Sequence, residues 1–347
     1  MTPHRFLPIC SHQMKPKFRT LLLALVAVIS LAGFALLLFT KGKPAPPPPL
    51  PSPNGYDDFV QAGQIRAGQL DDYLTASPED VRAYVMTNTA ALAQIRIGLE
   101  RECRVRLDFT LTNLSGHLIE LKGLGRLLAA EGRLAELESR PSDAVRSYVD
   151  AIRLGEKSSR GGFLIHRLVG MAVENIGYQQ LIKLAPTLNC EQMRPLVADL
   201  EKVDINGVTW QEVLQSERLF MRHELRKSFN PLRWLVGWWQ TRAVIKSSET
   251  KHHLIVARRR LLTTELALQC YHTDQSRAPE RLDQLVPKYL QRVPTDPFNG
   301  QPLVYRAQGT NWLLYSVSLD GVDDGGKRTG RIASGSSATG DLFFDSP

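Results

Sequence analysis

No aspartate or glutamate occurs before residue 54, whereas Arg5, Lys15, Lys17, Arg19, Lys41 and Lys43 all do. Of the 43 basic residues in the chain, the 37 that follow face 35 acidic ones, so the formal net charge of +8 belongs largely to the N-terminal segment. A nucleic-acid-binding surface needs basic charge gathered on the folded body. The distribution therefore argues against nucleic acid as a partner.

Cysteine is also scarce. Cys10, Cys103, Cys190 and Cys270 are the only four in 347 residues, with no Cys-x-x-Cys spacing, which excludes a zinc pattern and a disulfide framework. For the last three, two readings stay open: buried free thiols, or one disulfide with one free thiol. Catalytic patterns are missing too. His223-Glu224 is no metalloprotease motif, because Lys227 stands where the second His would be. His117 and Glu120 share a helix face without a second ligand pair, and His252-His253 point to different faces of one helix. The chain reads as a non-enzyme. The alternative is an envelope hydrolase with a site assembled in the helical domain.

What the sequence does carry is one long apolar run. "TLLLALVAVISLAGFALLLF", Thr20 to Phe39, holds no charge, and as a helix it would span about 30 Å, the thickness of a bilayer core. A cleaved signal peptide would have a shorter apolar region ending in small residues. This run ends in "LLLFTKGKP" and reads as an uncleaved signal-anchor. Four basic residues precede it and two follow, so the positive-inside rule leaves residues 1–19 in the cytoplasm and the bulk of the chain outside the inner membrane. "PAPPPPLPSP", Pro44 to Pro53, lies within a linker over 40–55, where consecutive prolines favour an extended stalk.

From residue 56 to 248 the pattern is that of a helical array. "SPEDVRAYVMTNTAALAQIRIGLE" predicts one helix with Ser77 as N-cap, and Val81, Val85, Leu92, Ile95 and Leu99 form its buried stripe. Further helices are expected over approximately 116–139, 142–158, 163–185, 190–203, 208–228, 231–247 and 249–273. Gly132, Ala144, Tyr148 and Ala151 occupy the spacing of a tetratricopeptide hairpin, where small residues admit a close helix pair. No second copy follows at that period. Trp234 and Trp238 stack at i, i+4 with Trp239 beside them. Core packing against the last module, a partner groove and a membrane-interface contact are all open for this cluster.

Residues 249–347 read as a small α+β module. "PLVYRA" and "NWLLYSVSL" are expected strands joined through Gln308-Gly309, and "DLFF" is a candidate third strand. The acidic stretch "LDGVDDGG" follows. Gly321, Gly326 and Lys327 have phosphate-loop spacing, but Arg328 replaces the magnesium-binding hydroxyl, and Asp323 and Asp324 would repel a polyphosphate. An EF-hand register fails at Val322 and Arg331. Clustered carboxylates and glycines still suit a hard cation, or simply a turn.

The stretch from "YHTDQSRAPERLDQLVPKYL" through "VPTDPFNG" and a Tyr-containing strand to "LYSVSLDG…GG" and a late "GDL" resembles the C-terminal part of the major pseudopilin of type II secretion. The resemblance implies an acidic loop that binds calcium through carboxylates and main-chain oxygens. Asp320 matches the Asp of the family's Asp-Gly step, and Asp341 matches its later Asp. Asp323 and Asp324 are the remaining candidate ligands, at positions the family usually fills with neutral residues. The chain departs from pseudopilins in three ways. Its apolar helix carries no Glu, Gly33-Phe34 lies in the helix interior, and roughly 200 residues separate anchor and module. As a whole it resembles single-pass bacterial membrane proteins that join a helical middle to such an end. The function implied is scaffolding or protein interaction in the cell envelope, and a link to a secretion or pilus-like apparatus rests on that one module.

Overall fold

Asn88 breaks what the apolar spacing predicts to be a single helix. Its side chain accepts from the Ala67 amide at 2.8 Å and donates to the carbonyls of Ala67 and Tyr84, both at 2.9 Å. An amide that satisfies a neighbouring strand of backbone competes with the helical ladder, and the chain forms two helices there instead. The computed structural model describes residues 48–70, 72–107, 111–227, 231–328 and 340–346, with the side chains of 111–115, 222 and 224–241 also outside the description.

The first helix, α1 (Gly55–Ile65), is capped by Asn54, which accepts from Tyr56 N and ties itself to Arg104 through both backbone groups of that residue. Then follow α2 (Pro78–Thr87) and α3 (Thr89–Glu100). Ser77 caps α2 as expected, its hydroxyl accepting from the Asp80 amide at 3.1 Å. All five residues of the predicted stripe are buried. With Phe59, Leu124, Leu127 and Leu128 they form one core.

Next come α4 (Leu111–Leu137), α5 (Pro141–Ser158) and α6 (Leu164–Leu184). They pack through glycines. A Cβ on Gly132 would lie 2.3 Å from Tyr148 Cε1, so the fully buried tyrosine fills the space left by the missing side chain. Its hydroxyl donates to Glu136 at 2.7 Å. Between α5 and α6 the backbones themselves meet: a Cβ on Gly155 would sit 2.3 Å from Gly170 O.

The remaining helices are α7 (Cys190–Ile205), opened by a reciprocal Asn189–Gln192 cap, α8 (Trp210–Lys227) and α9 (Pro231–Gln275). The pattern divides α9 near residue 248, yet the helix is continuous. No Gly or Pro occurs between Trp238 and Gln275 to interrupt it, and the boundary set at 248/249 falls inside it. Among the described residues no helix is long and apolar enough to cross a membrane. Thr20–Phe39 lies outside the described residues, as do the side chains of Trp234, Trp238 and Trp239.

The C-terminal part has a short 3-10 turn (Leu282–Leu285) and an antiparallel hairpin of β1 (Val304–Gln308) and β2 (Asn311–Tyr315), with Val304 opposite Tyr315. Gly309 takes φ +66° at the tight turn, a conformation that favours glycine. "DLFF" contributes isolated bridges, Leu342 to Ser316 and Asp341 to Arg328, rather than a third strand. The hairpin does not stand apart. Leu303, Leu314 and Leu342 share one core with Tyr148, Leu181, Leu200 and Leu261. Trp312 Nε1 donates to Glu265 at 2.9 Å, and the Tyr178 hydroxyl lies 2.8 Å from the Phe344 carbonyl. Leu50–Pro347 forms one compact unit, mainly helical with a small two-stranded sheet near its C-terminal end.

Candidate functional site

The acidic loop leaves β2 through Ser316 and Ser318 and turns on Gly321, Gly325 and Gly326, all at positive φ. Its four aspartates separate into three environments. Asp320 is exposed and accepts from the Val322 amide at 3.1 Å, a local turn. Asp323 faces the hairpin: Tyr315 donates to it at 2.6 Å, Gly325 N at 2.8 Å and Arg306 at 2.9 Å. The tyrosine hydroxyl, then the Gly325 amide, hold its carboxyl below the usual carboxylate range.

Asp324 and Asp341 are brought together. Asp341 accepts from Asp324 N at 3.3 Å and Gly326 N at 2.7 Å, and Asp324 accepts from Gly340 N at 2.7 Å. The two carboxylates thus interlock the arms of the loop. Asp341 is fully buried, and desolvation pushes its carboxyl up against the pull of those two amides, with the charges of Asp323 and Asp324 adding. Among the described residues, no group of three or more carboxylates, imidazoles or thiols is arranged to hold a metal. Residues 329–339, which would close the loop, lie outside the description.

Asp296, in the "VPTDPFNG" stretch, has a positional role the sequence did not reveal. Its buried carboxylate accepts from Val317 N at 2.9 Å and Phe298 N at 3.0 Å, pinning the turn to the end of β2.

A second constellation lies between the helices. Arg167 on α6 is fully buried and reaches Glu156 on α5 at 2.9 Å and Glu174 on its own helix at 2.7 Å. Its Nε donates to His252 Nδ1 on α9 at 3.1 Å. Arg259 meets Glu174 at 3.0 Å and Asp204 at 3.4 Å, and Arg260 adds a bond to Asp204 at 3.0 Å. Glu156 also accepts from the Val208 amide, and Trp210 lies against the His252 ring, centroids 5.7 Å apart. Apart from His252, sequence reading passed over these residues. The available signal was charge at apolar positions: Arg167 and Glu174, seven apart, fall on the buried face of α6.

The network's electrostatics follow from burial. Desolvation pushes Glu174 up, Arg167 opposing it and the adjacent Glu156 adding to it. Glu156 suffers the same desolvation, but Arg167 and Arg259 outweigh it and bring the group down. Desolvation, then the Arg167 charge, lowers His252 to about 3, so the imidazole is neutral and its Nδ1 is free to accept. Among the described residues, Arg167 Nη2, Arg259 Nε and Trp210 Nε1 are buried without a hydrogen-bond partner. Chemically this is a clamp: each carboxylate faces a guanidinium, and the charges join α5, α6, α7 and α9.

The histidines singled out by sequence fall in separate places. His252 packs on Trp210 and Arg167, and His253 lies edge-on to Phe298 at 5.7 Å. His117 is exposed, and Glu120 is occupied by Arg66 at 3.0 Å. A third feature is an open cleft of about 210 Å³ between α7, α9 and the turn after the 3-10 helix. On its rim Asp274 Oδ2 accepts from Arg194 and Lys288, both at 2.8 Å, and from Tyr289 at 2.7 Å. No family model, curated protein or solved structure matches the chain.

Proposed function

We propose that this chain is a membrane-anchored protein of the cell envelope with a non-catalytic scaffolding or protein-interaction role. In this reading Thr20–Phe39 anchors it, the N-terminus is cytoplasmic and the bulk is extracytoplasmic. The α4–α5 pair is a tetratricopeptide-like hairpin, and the C-terminal part is a pseudopilin-like module. The observation that carries the reading is the shared core: Leu303, Leu314 and Leu342 of the module pack with helix residues of α4, α5, α6, α7 and α9. A module embedded in this way acts as a fixed part of a rigid display body, not as a subunit free to polymerise as pilins do. The Gly132–Tyr148 contact supports the hairpin assignment.

Crosslinking in intact cells, followed by purification of the full chain from solubilised membranes, tests the role. The expected result is recovery from the membrane fraction with a discrete envelope protein in fixed proportion. Recovery of the chain alone, from the soluble fraction, would overturn it.

Calcium binding at the acidic loop is a second part of the proposal. It is favoured by Asp341, a buried carboxylate that meets only backbone amides among the described residues. Asp324 and Asp341 would hold the ion with main-chain oxygens. Asp323 would first have to leave Arg306 and Tyr315, and Asp320 its exposed turn. Extracellular calcium modules bind at about 10⁻⁴–10⁻³ M, so ~1 mM calcium would add roughly 1.4 kcal/mol at the tight end of that range. In the solubilised full chain this should raise Tm by about 2–4 °C, magnesium should do much less, and Asp341→Asn should remove the response. An unchanged Tm at several millimolar calcium would leave only a turn.

A further inference from the structure

Cys190 is the first residue of α7, and Cys270 lies eighty residues later, near the C-terminal end of α9. The packing of those two helices brings the cysteines together. Cys270 Sγ is 3.8 Å from the Cys190 carbonyl oxygen and 4.0 Å from Met193 Sδ, one helical turn further along α7. We propose that Cys190 and Cys270 are a disulfide-forming pair that joins α7 to α9 beside the C-terminal module.

The surroundings assign an order to the reaction. Cys190 is half-buried and Cys270 is 1% exposed, although Cys270 also contributes to the wall of the open cleft. An oxidant therefore meets Cys190 first. The oxidant required is itself a disulfide, either a small one such as oxidised glutathione or that of a thiol–disulfide oxidoreductase. The Cys190 thiolate attacks one of its sulfurs, the first thiolate leaves, and a mixed disulfide forms on Cys190. The Cys270 thiolate then attacks Cys190 Sγ, the new S–S bond closes and the second thiolate leaves. Two cysteine protons pass to solvent and the leaving thiolates, and the oxidant gains two electrons.

Burial, then the neighbouring Cys190 thiol, pushes the Cys270 thiol up to about 12. Its deprotonation therefore limits the second step, and closure should speed up with rising pH. Cys103 is different. It sits in the other core, with desolvation pushing its thiol likewise up to about 12, so it is the internal control for a buried cysteine with no partner thiol among the described residues. The geometry holds in whatever compartment the chain resides, so the test below is independent of the envelope reading.

The solubilised full chain would be equilibrated in glutathione buffers of rising oxidised fraction, unfolded in acid, alkylated and digested. The expected result is joint loss of two alkylatable thiols and one cross-linked peptide pair carrying Cys190 and Cys270, with Cys103 still alkylated. Reduction should then lower Tm by about 5–10 °C, because the bond closes a long loop. In Cys190→Ser, Cys270 should stay reduced in every buffer. Full alkylation of both in the most oxidising buffer would overturn the proposal. So would a lasting glutathione adduct on Cys190 beside a free Cys270, or a bond to Cys103 or Cys10.

Discussion

Arg167 and Glu174 face each other at 2.7 Å with side-chain exposures of 0% and 1%. Such a pair contributes little net stability when intact, because desolvation offsets attraction, but breaking it leaves an uncompensated buried charge. Arg167→Met should therefore destabilise the fold by about 3–5 kcal/mol, with Glu156 and Glu174 both losing a partner. Adding Glu156→Gln and Glu174→Gln to that variant should recover part of the loss. Urea unfolding of the three proteins measures both effects, and a single substitution within 1 kcal/mol of wild type, about the size of a surface pair, would contradict the clamp.

Acid should weaken the fold before ordinary carboxylates titrate. His166 Nδ1 accepts from the Phe163 amide at 3.1 Å, and His252 Nδ1 accepts from Arg167. Each bond needs an unprotonated nitrogen. Desolvation lowers His166 from 6.5 to about 4, so between those values the unfolded chain binds the extra proton and stability falls as pH falls. That histidine alone accounts for roughly 3 kcal/mol. His252 acts in the same direction, whereas the raised Glu174 acts in the opposite one above the usual carboxylate range. His166→Gln keeps an acceptor without a proton to gain and should flatten the profile by one proton. An unaltered profile would show that His166 is not responsible.

How much of this was legible is clearest in particular residues. The stripe from Val81 to Leu99 and the cap at Ser77 could be read because periodicity and capping are local. The break at Asn88 could not, because its cause is the backbone of Ala67, far outside any helical period. The same holds for the clamp: Arg167 and Glu174 are seven apart, but Arg259 and His252 come from another helix. In the acidic loop the residue types were readable, while the turn of Asp323 toward Arg306 was set by the hairpin register. Tertiary partners decided each of these cases.

Helix approach through glycine gives a packing prediction. A Cβ on Gly170 would lie 2.4 Å from the Gly155 carbonyl oxygen, a backbone atom that cannot swing aside. Gly170→Ala should separate α5 from α6 and lower stability by about 1–3 kcal/mol. Among the described residues nothing lies within 4 Å of a would-be Cβ on Gly116 of α4, so Gly116→Ala should be neutral or stabilising by about 0.5–1 kcal/mol. Thermal unfolding of the pair compares them directly, and equal shifts in Tm would rule out close backbone contact as the cause.

A fragment that ends near residue 247 tests whether the helical middle stands alone. The composition suggests that it does, since the strands come later. The core argues the reverse. Ala257, Leu261, Leu262, Leu266 and Leu268 of α9 lie in one cluster with Tyr148, Leu181, Leu196 and Leu200. Removing them uncovers the apolar faces of α5, α6 and α7. It also removes His252 and Arg259, which leaves Arg167 and Glu174 each short of a partner. Local helix propensity survives such a cut, but fixed packing does not. Residues 50–247 should therefore keep far-ultraviolet helical signal, lose near-ultraviolet signal and bind a hydrophobic dye, while residues 50–347 unfold cooperatively. Cooperative unfolding of the shorter fragment with intact near-ultraviolet signal would mean that α9 and the hairpin dock onto a core already complete without them.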